Sequence, residues 1–132
     1  KVIGIKDGDT VVVLDSLNNQ ITLRLAEVDC PEKSQPFGTK AKQFTSDQIY
    51  LKTIKYVVTD TDRYGRSIAI IYYDVDNKYL SAEIIKAGMG WHYKRYSKSK
   101  ELASFEENAK KNKIGLWVDN NPIEPSEWRK TN

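Results

Sequence analysis

Short apolar runs broken by polar turn clusters open the chain, and between residues 21 and 26 apolar positions recur with a period of two, a pattern that predicts strands. Val2–Ile5 and Thr10–Leu14 flank an Asp7-Gly8-Asp9 turn, and Asp15-Ser16-Leu17-Asn18-Asn19 is a second turn cluster. Ile21, Leu23 and Leu25 then alternate with Thr22, Arg24 and Ala26. The three aliphatic residues define a core face, and Arg24 is expected on the opposite face, within reach of a ligand. Two further strands are predicted at Ile54–Thr59 and Arg66–Tyr73, with an Asp74–Asn77 turn leading into Lys78–Leu80.

The period changes after Pro31. Lys33–Gly38 reads as a polar loop, and residues 39–51 read as a helix capped by Thr39, with Ala41, Phe44, Gln48 and Leu51 on one stripe. A short helix is predicted over Ser81–Ala87, closed by Gly88. A third runs from about Ser99 to Asn112, with Leu102, Phe105 and Ala109 inward. The tail, residues 119–132, carries Pro122, Pro125 and Trp128 and is expected to be extended, with Trp128 packed back. The fold class expected is mainly β with α: a five-stranded OB-fold β-barrel with about three helices attached, in one domain spanning residues 1–132.

Composition narrows the chemistry. At 132 residues with 39% apolar positions, the chain can bury a real core. A net charge of +3 favours a polyanionic partner over a polycationic one. Cys30 is the only cysteine and His92 the only histidine. An internal disulfide, a thiolate zinc site and a multi-histidine centre are therefore excluded. Acid–base work falls to carboxylates, Lys, Tyr or metal-bound water. His92 is expected on the surface. No run approaches the apolar length of a membrane span.

Three motifs concentrate the reactive groups: Asp7-Gly8-Asp9-Thr10; Arg24 followed by Asp29-Cys30-Pro31-Glu32; and Asp62-Arg63-Tyr64-Gly65-Arg66. Each alone is ordinary: a turn, a solvated strand arginine, a surface acid, or an Arg66 salt bridge to Asp60 or Asp62. Together they supply oxygen ligands for a hard cation, guanidinium forks for a phosphate and a further carboxylate to handle a water. Trp91-His92-Tyr93-Lys94-Arg95-Tyr96 interleaves aromatic and basic residues, a composition suited to stacked bases and phosphates, and suited equally to core and helix packing for Trp91 and Tyr93.

In this order the motifs resemble the staphylococcal-nuclease-type family of calcium-dependent secreted nucleases, over nearly the whole chain from Val2 to about Trp117. The resemblance implies calcium held by Asp9, Asp29 and the main-chain carbonyl of Cys30, with Asp7 orienting a bound water. It implies Arg24, Glu32 and Arg66 as catalytic residues, and Arg63, Tyr64 and Tyr96 as substrate contacts. Lys94 stands where the family has a second tyrosine, and Tyr93 is taken in its place. The implied activity is hydrolysis of DNA and RNA with little sequence preference, leaving 3′-phosphate ends, by a monomer outside the cytosol (extracellular, periplasmic or at the cell surface). The alternative is a nucleic-acid-binding module of the same fold without catalysis.

Overall fold

A computed structural model describes residues 1–131. β1 (Val2–Asp7) and β2 (Thr10–Leu14) form a hairpin closed by Asp7 opposite Thr10. β3 (Gln20–Leu25) runs antiparallel to β2 and sets Arg24 opposite Thr10. β4 (Val28–Asp29) leads through the Glu32 loop into α1 (Gly38–Ile49). β5 (Lys55–Thr61) and β6 (Ser67–Tyr73) make a second hairpin, and the start of β6 pairs in parallel with β3. β7 (Lys78–Tyr79) pairs with the end of β6, and α2 (Leu80–Lys86) follows. β8 (Trp91–His92) pairs with β4, and α3 (Lys100–Lys111) comes next. A 3₁₀ turn at Gly115–Val118 and α4 (Pro125–Thr131) complete the described residues.

The mainly β architecture with helices attached is as expected; the closed five-stranded barrel is not what the pairing describes. The main sheet has six strands, in the order β1-β2-β3-β6-β5 with β7 beside β6, and β4-β8 form a separate pair. Among the described residues no ladder joins β5 to β1. The start of β1 is instead tied by two main-chain bonds to the segment entering β5, from Val2 N–H to Lys52 O and from Leu51 N–H to Val2 O, both 3.0 Å. Val2, Val11, Val13, Leu23, Leu25, Ile71 and Tyr73 from the sheet bury against Leu80, Ile84, Ile85 and Leu102. At roughly 1.5–3 kcal/mol per buried large aliphatic side chain, this packing is the main force holding the sheet to its helices.

Several local expectations change. α1 starts at Gly38, not Thr39, with Phe37 before it in the left-handed region (φ 69°) and no side-chain cap. Close packing sets that start: a Cβ on Gly38 would overlap the Glu32 carbonyl oxygen. The buried stripe is Gly38, Ala41, Thr45 and Ile49, whereas Leu51 lies beyond the helix, 55% exposed at φ 64°, where the chain turns back to meet β1. α3 is capped by Ser99, whose Oγ accepts the Leu102 N–H at 3.1 Å, and Leu102 and Ala109 face inward as expected. The same face buries Glu106 completely. The tail is not extended: residues 125–131 are helical, with Pro125 at the first position, Glu127 in the first turn and Arg129 and Lys130 in the last. Asn132, assigned to that extended tail, lies outside the described residues. No helix among the described residues is long and apolar enough to cross a membrane.

Candidate active site

The β1–β2 turn, the end of β3 and β4 bring Asp9, Arg24 and Asp29 together. Arg24 is off the aliphatic face, as the alternation requires, yet it is not open to solvent: only 8% of it is exposed. Four acceptors explain its burial. Nη1 donates to the Leu25 and Val28 carbonyl oxygens, both at 2.8 Å. Nη2 lies 3.2 Å from Asp29 Oδ1 and 3.4 Å from Asp9 Oδ2. Burial alone would depress the guanidinium pKa, but Asp9 and Asp29 outweigh it, so the net shift is upward and Arg24 stays a cation. Tyr93 covers it, with the guanidinium carbon 5.7 Å from the ring centroid.

The two carboxylates therefore converge on a single nitrogen. Asp9 Oδ2 also accepts the Cys30 N–H at 2.8 Å, and Oδ1 accepts the Thr10 hydroxyl at 3.2 Å. Burial raises the Asp29 pKa, an Arg129 hydrogen bond opposes that rise, and Asp9 adds to it. The Asp7 carboxyl is likewise pushed up, first by burial and then by Asp9 and Glu32. Asp9 thus repels both Asp7 and Asp29, and Glu32 repels Asp7, and this repulsion favours bound positive charge. The Cys30 thiol is turned away into the core, where it occupies the space that a Cβ on Gly8 or Gly90 would need. Burial raises its pKa well above the ordinary thiol value, so only the main chain of Cys30 is available to an ion.

Glu32 stands on the loop between β4 and α1. Its N–H donates to Gln35 Oε1, and the Gln35 N–H returns to the Glu32 carbonyl. Its carboxylate meets Arg129 of α4, Oε1 to Nη1 at 2.8 Å. Arg129 also bridges to Asp29, Nη2 to Oδ2 at 3.1 Å and Nη1 to Oδ1 at 3.3 Å. The motif reading missed this residue. Its only sequence signal is the proline, first-turn acid and last-turn bases that announce a short helix.

Arg66 occupies a neighbouring rim. Its Nε lies 2.7 Å from Asp62 Oδ2, and its N–H donates to Asp62 Oδ1 at 2.9 Å. The β3–β6 register pairs Arg24 with Ile68, so position 66 falls beside Thr22 on the same face as Arg24. Arg66, Tyr64, Asp7, Thr10 and Thr22 line an open groove of about 500 Å³. Tyr64 is 71% exposed, with the Arg63 and Arg66 guanidinium groups 5.1 and 5.6 Å from its ring centroid. Tyr96 is exposed and packs edge-on against Tyr93, with centroids 4.9 Å apart. His92 corrects the surface expectation. It is buried, its Nε2 is 2.8 Å from Ser97 Oγ, and its N–H donates to Glu106 Oε2 at 2.7 Å. Its place in β8, against β4, keeps it inside.

Among the described residues no three His, Cys, Asp or Glu side chains form a ready-made metal cage. Two adjacent carboxylates, a nearby main chain and no available sulfur or imidazole make a hard, incomplete oxygen set. Calcium fits such a set, because it accepts carbonyls and waters to complete its shell, whereas a soft transition metal does not.

The fold and this cluster define a mainly β domain with a buried pair of carboxylates held by guanidinium groups. The family profile described as staphylococcal nuclease homologue matches residues 22–119, and the chain belongs to that family. The match includes Arg24, Asp29, Glu32 and Arg66. The chain is 47% identical over 130 residues to a protein of Haemophilus influenzae named as an uncharacterized endonuclease, covering 98% of this chain and 72% of that one. It is 34% identical over 140 residues to the micrococcal nuclease of Shigella flexneri, covering 98% and 79%. It is 37% identical over 114 residues to a staphylococcal-like nuclease of Arabidopsis thaliana, covering 86% of this chain but only 35% of the plant protein.

Proposed function

We propose that this chain is a calcium-dependent phosphodiester hydrolase acting on DNA and RNA with little sequence preference and leaving 3′-phosphate and 5′-hydroxyl ends. The observation that carries this reading is the convergence of Asp9 and Asp29 on one nitrogen of Arg24, while Asp7 and Thr10 from the same turn line a groove that also holds Arg66 and Tyr64. The names of the bacterial relatives, endonuclease and micrococcal nuclease, agree with it.

Asp9, Asp29 and the Cys30 carbonyl would hold the ion. Bound there, calcium supplies positive charge to a phosphate oxygen and orients a water. Glu32 takes the proton of that water as its oxygen bonds to phosphorus and the bond to the 5′ oxygen breaks, and a solvent water protonates the departing oxygen to the 5′-hydroxyl. Arg66 donates to the equatorial oxygens, where negative charge grows, and Arg24, whose Nη1 and Nη2 are engaged by four protein acceptors, adds its charge and its Nε–H. In phosphoryl transfer such an arginine is worth roughly 10³–10⁵ in rate. Tyr64, Tyr93 and Tyr96 offer ring faces to bases and Arg63 follows the phosphates, which selects for nucleic acid without reading its sequence. The activity is assigned to a monomer working outside the cytosol, where calcium is plentiful.

Incubation of supercoiled plasmid and of a long RNA with CaCl2, MgCl2 or excess chelator tests this. Cleavage is expected in CaCl2, little in MgCl2, and none with chelator or in Glu32→Gln. Chelator-resistant cleavage removes the metal assignment. Binding without cleavage under every divalent ion replaces the enzyme with a nucleic-acid-binding module.

A further inference from the structure

We propose that α4 is a self-inhibitory strap whose Arg129 guanidinium stands in for the cation, so that divalent-ion binding and release of the strap are one equilibrium. The inference rests on the cation reading of Asp9 and Asp29. Arg129 meets Asp29 through two nitrogens, at 3.1 and 3.3 Å, and Glu32 through one, at 2.8 Å. Arg24 already holds Asp29 Oδ1 at 3.2 Å. Both oxygens of Asp29 are therefore engaged by guanidinium groups, and an ion that ligates Asp29 meets their positive charge, a repulsion relieved when one of them leaves. Arg24 is locked by two carbonyls and two carboxylates and is almost wholly buried. Arg129 has a side chain 40% exposed and, among the described residues, holds only the two acids, so Arg129 is the one that gives way.

The strap is built to be removable. α4 has seven residues, too few to persist as a helix by itself. It is held by buried Pro125, by the Trp128 Nε1–H to Ser34 Oγ at 3.3 Å, and by the Gln35 amide donating to the Ile123 carbonyl just before it. Ser34 and Gln35 belong to the same loop as Glu32. Docking of α4 thus neutralises Asp29 and Glu32 and braces their loop at once. Binding linkage is reciprocal: whatever factor the strap subtracts from cation affinity, the cation subtracts from strap docking.

Calorimetric titration of CaCl2 into the full chain, its Arg129→Ala variant and its Arg129→Gln variant decides the matter. Circular dichroism confirms that each is folded, and Arg129→Gln retains the side-chain stem. The expected result is about ten-fold tighter calcium binding in both variants. Faster hydrogen exchange over residues 125–131 of the unaltered chain in saturating CaCl2 is expected alongside. Unchanged affinity, or weaker binding showing that Arg129 positions Asp29 for the ion, overturns the strap and leaves the calcium site standing. Absence of calcium binding in all three proteins overturns the site and the strap together.

Discussion

Arg24, on β3, and Arg66, at the entrance to the β6 strand paired with it, are assigned the same task, yet their surroundings are opposite. Arg24 is enclosed, with its charge divided among two carbonyls, two carboxylates and an aromatic ring. Arg66 sits at a strand entrance, with its side chain about one-third exposed and one acid for a partner. The first is preorganised and cannot move without unpairing buried charge. The second can leave Asp62 for a phosphate at little cost, because exposed ion pairs are worth about 0.2–1 kcal/mol. One arginine therefore holds up the site as well as serving it, and the other only serves it.

The sharpest way to break this comparison is to remove each guanidinium and measure activity and stability together. Arg24→Ala leaves Asp9 buried without an ionic partner among the described residues and Asp29 with Arg129 alone, so urea unfolding should show a loss of about 3–5 kcal/mol. Plasmid cleavage should fall by roughly 10³ or more. A stable Arg24→Ala protein would show that the enclosure is not structural. Arg66→Ala should lose a similar factor in cleavage, roughly 10³, while its unfolding free energy stays within about 1 kcal/mol of the parent. A large stability loss there would erase the distinction.

The smallest expected effect concerns His92, whose strand backs β4 and hence the Arg24 side alone. Burial lowers its pKa below 6.5, Lys94 adds to the lowering, and Glu106 and Glu27 oppose it. The unfolded chain therefore takes up the proton first as pH falls through 6.5, and the folded state loses stability until its own lowered value is passed. Urea midpoints measured across that window should decline on acidification, and His92→Gln should flatten the slope. A slope unchanged by that substitution assigns the decline to other groups.

These contrasts also mark how far the sequence could be read. Period-two alternation at Ile21, Leu23 and Leu25 put Arg24 off the aliphatic face, because one buried face imposes that pattern, whereas β2 follows from an unbroken apolar run and is buried from Thr10 to Val13. The burial of Arg24 was not legible, since it depends on Asp9, Asp29 and Tyr93 arriving from three other segments. Tertiary context likewise overrode the cap at Thr39: Gly38 is required by the nearby Glu32 carbonyl, a contact that no helix propensity encodes. Motif order named Asp9, Arg24, Asp29, Glu32 and Arg66, and the sheet register explains why the two arginines share a face. Arg129 was invisible for a plain reason: its partners lie about a hundred positions upstream, beyond any local pattern.

The parallel ladder between β3 and β6 bears on how the molecule is made. Leu23 pairs with Ser67, so the two rims cannot meet until the segment between them has left the ribosome. Such distant pairings form late, after chain entropy has been spent on closing the loop. A half-synthesised or prematurely terminated polypeptide would carry the acids and one arginine with no opposing rim. The proposed cutting activity would then be silent in every fragment shorter than the finished sheet, which spares the cell that translates it.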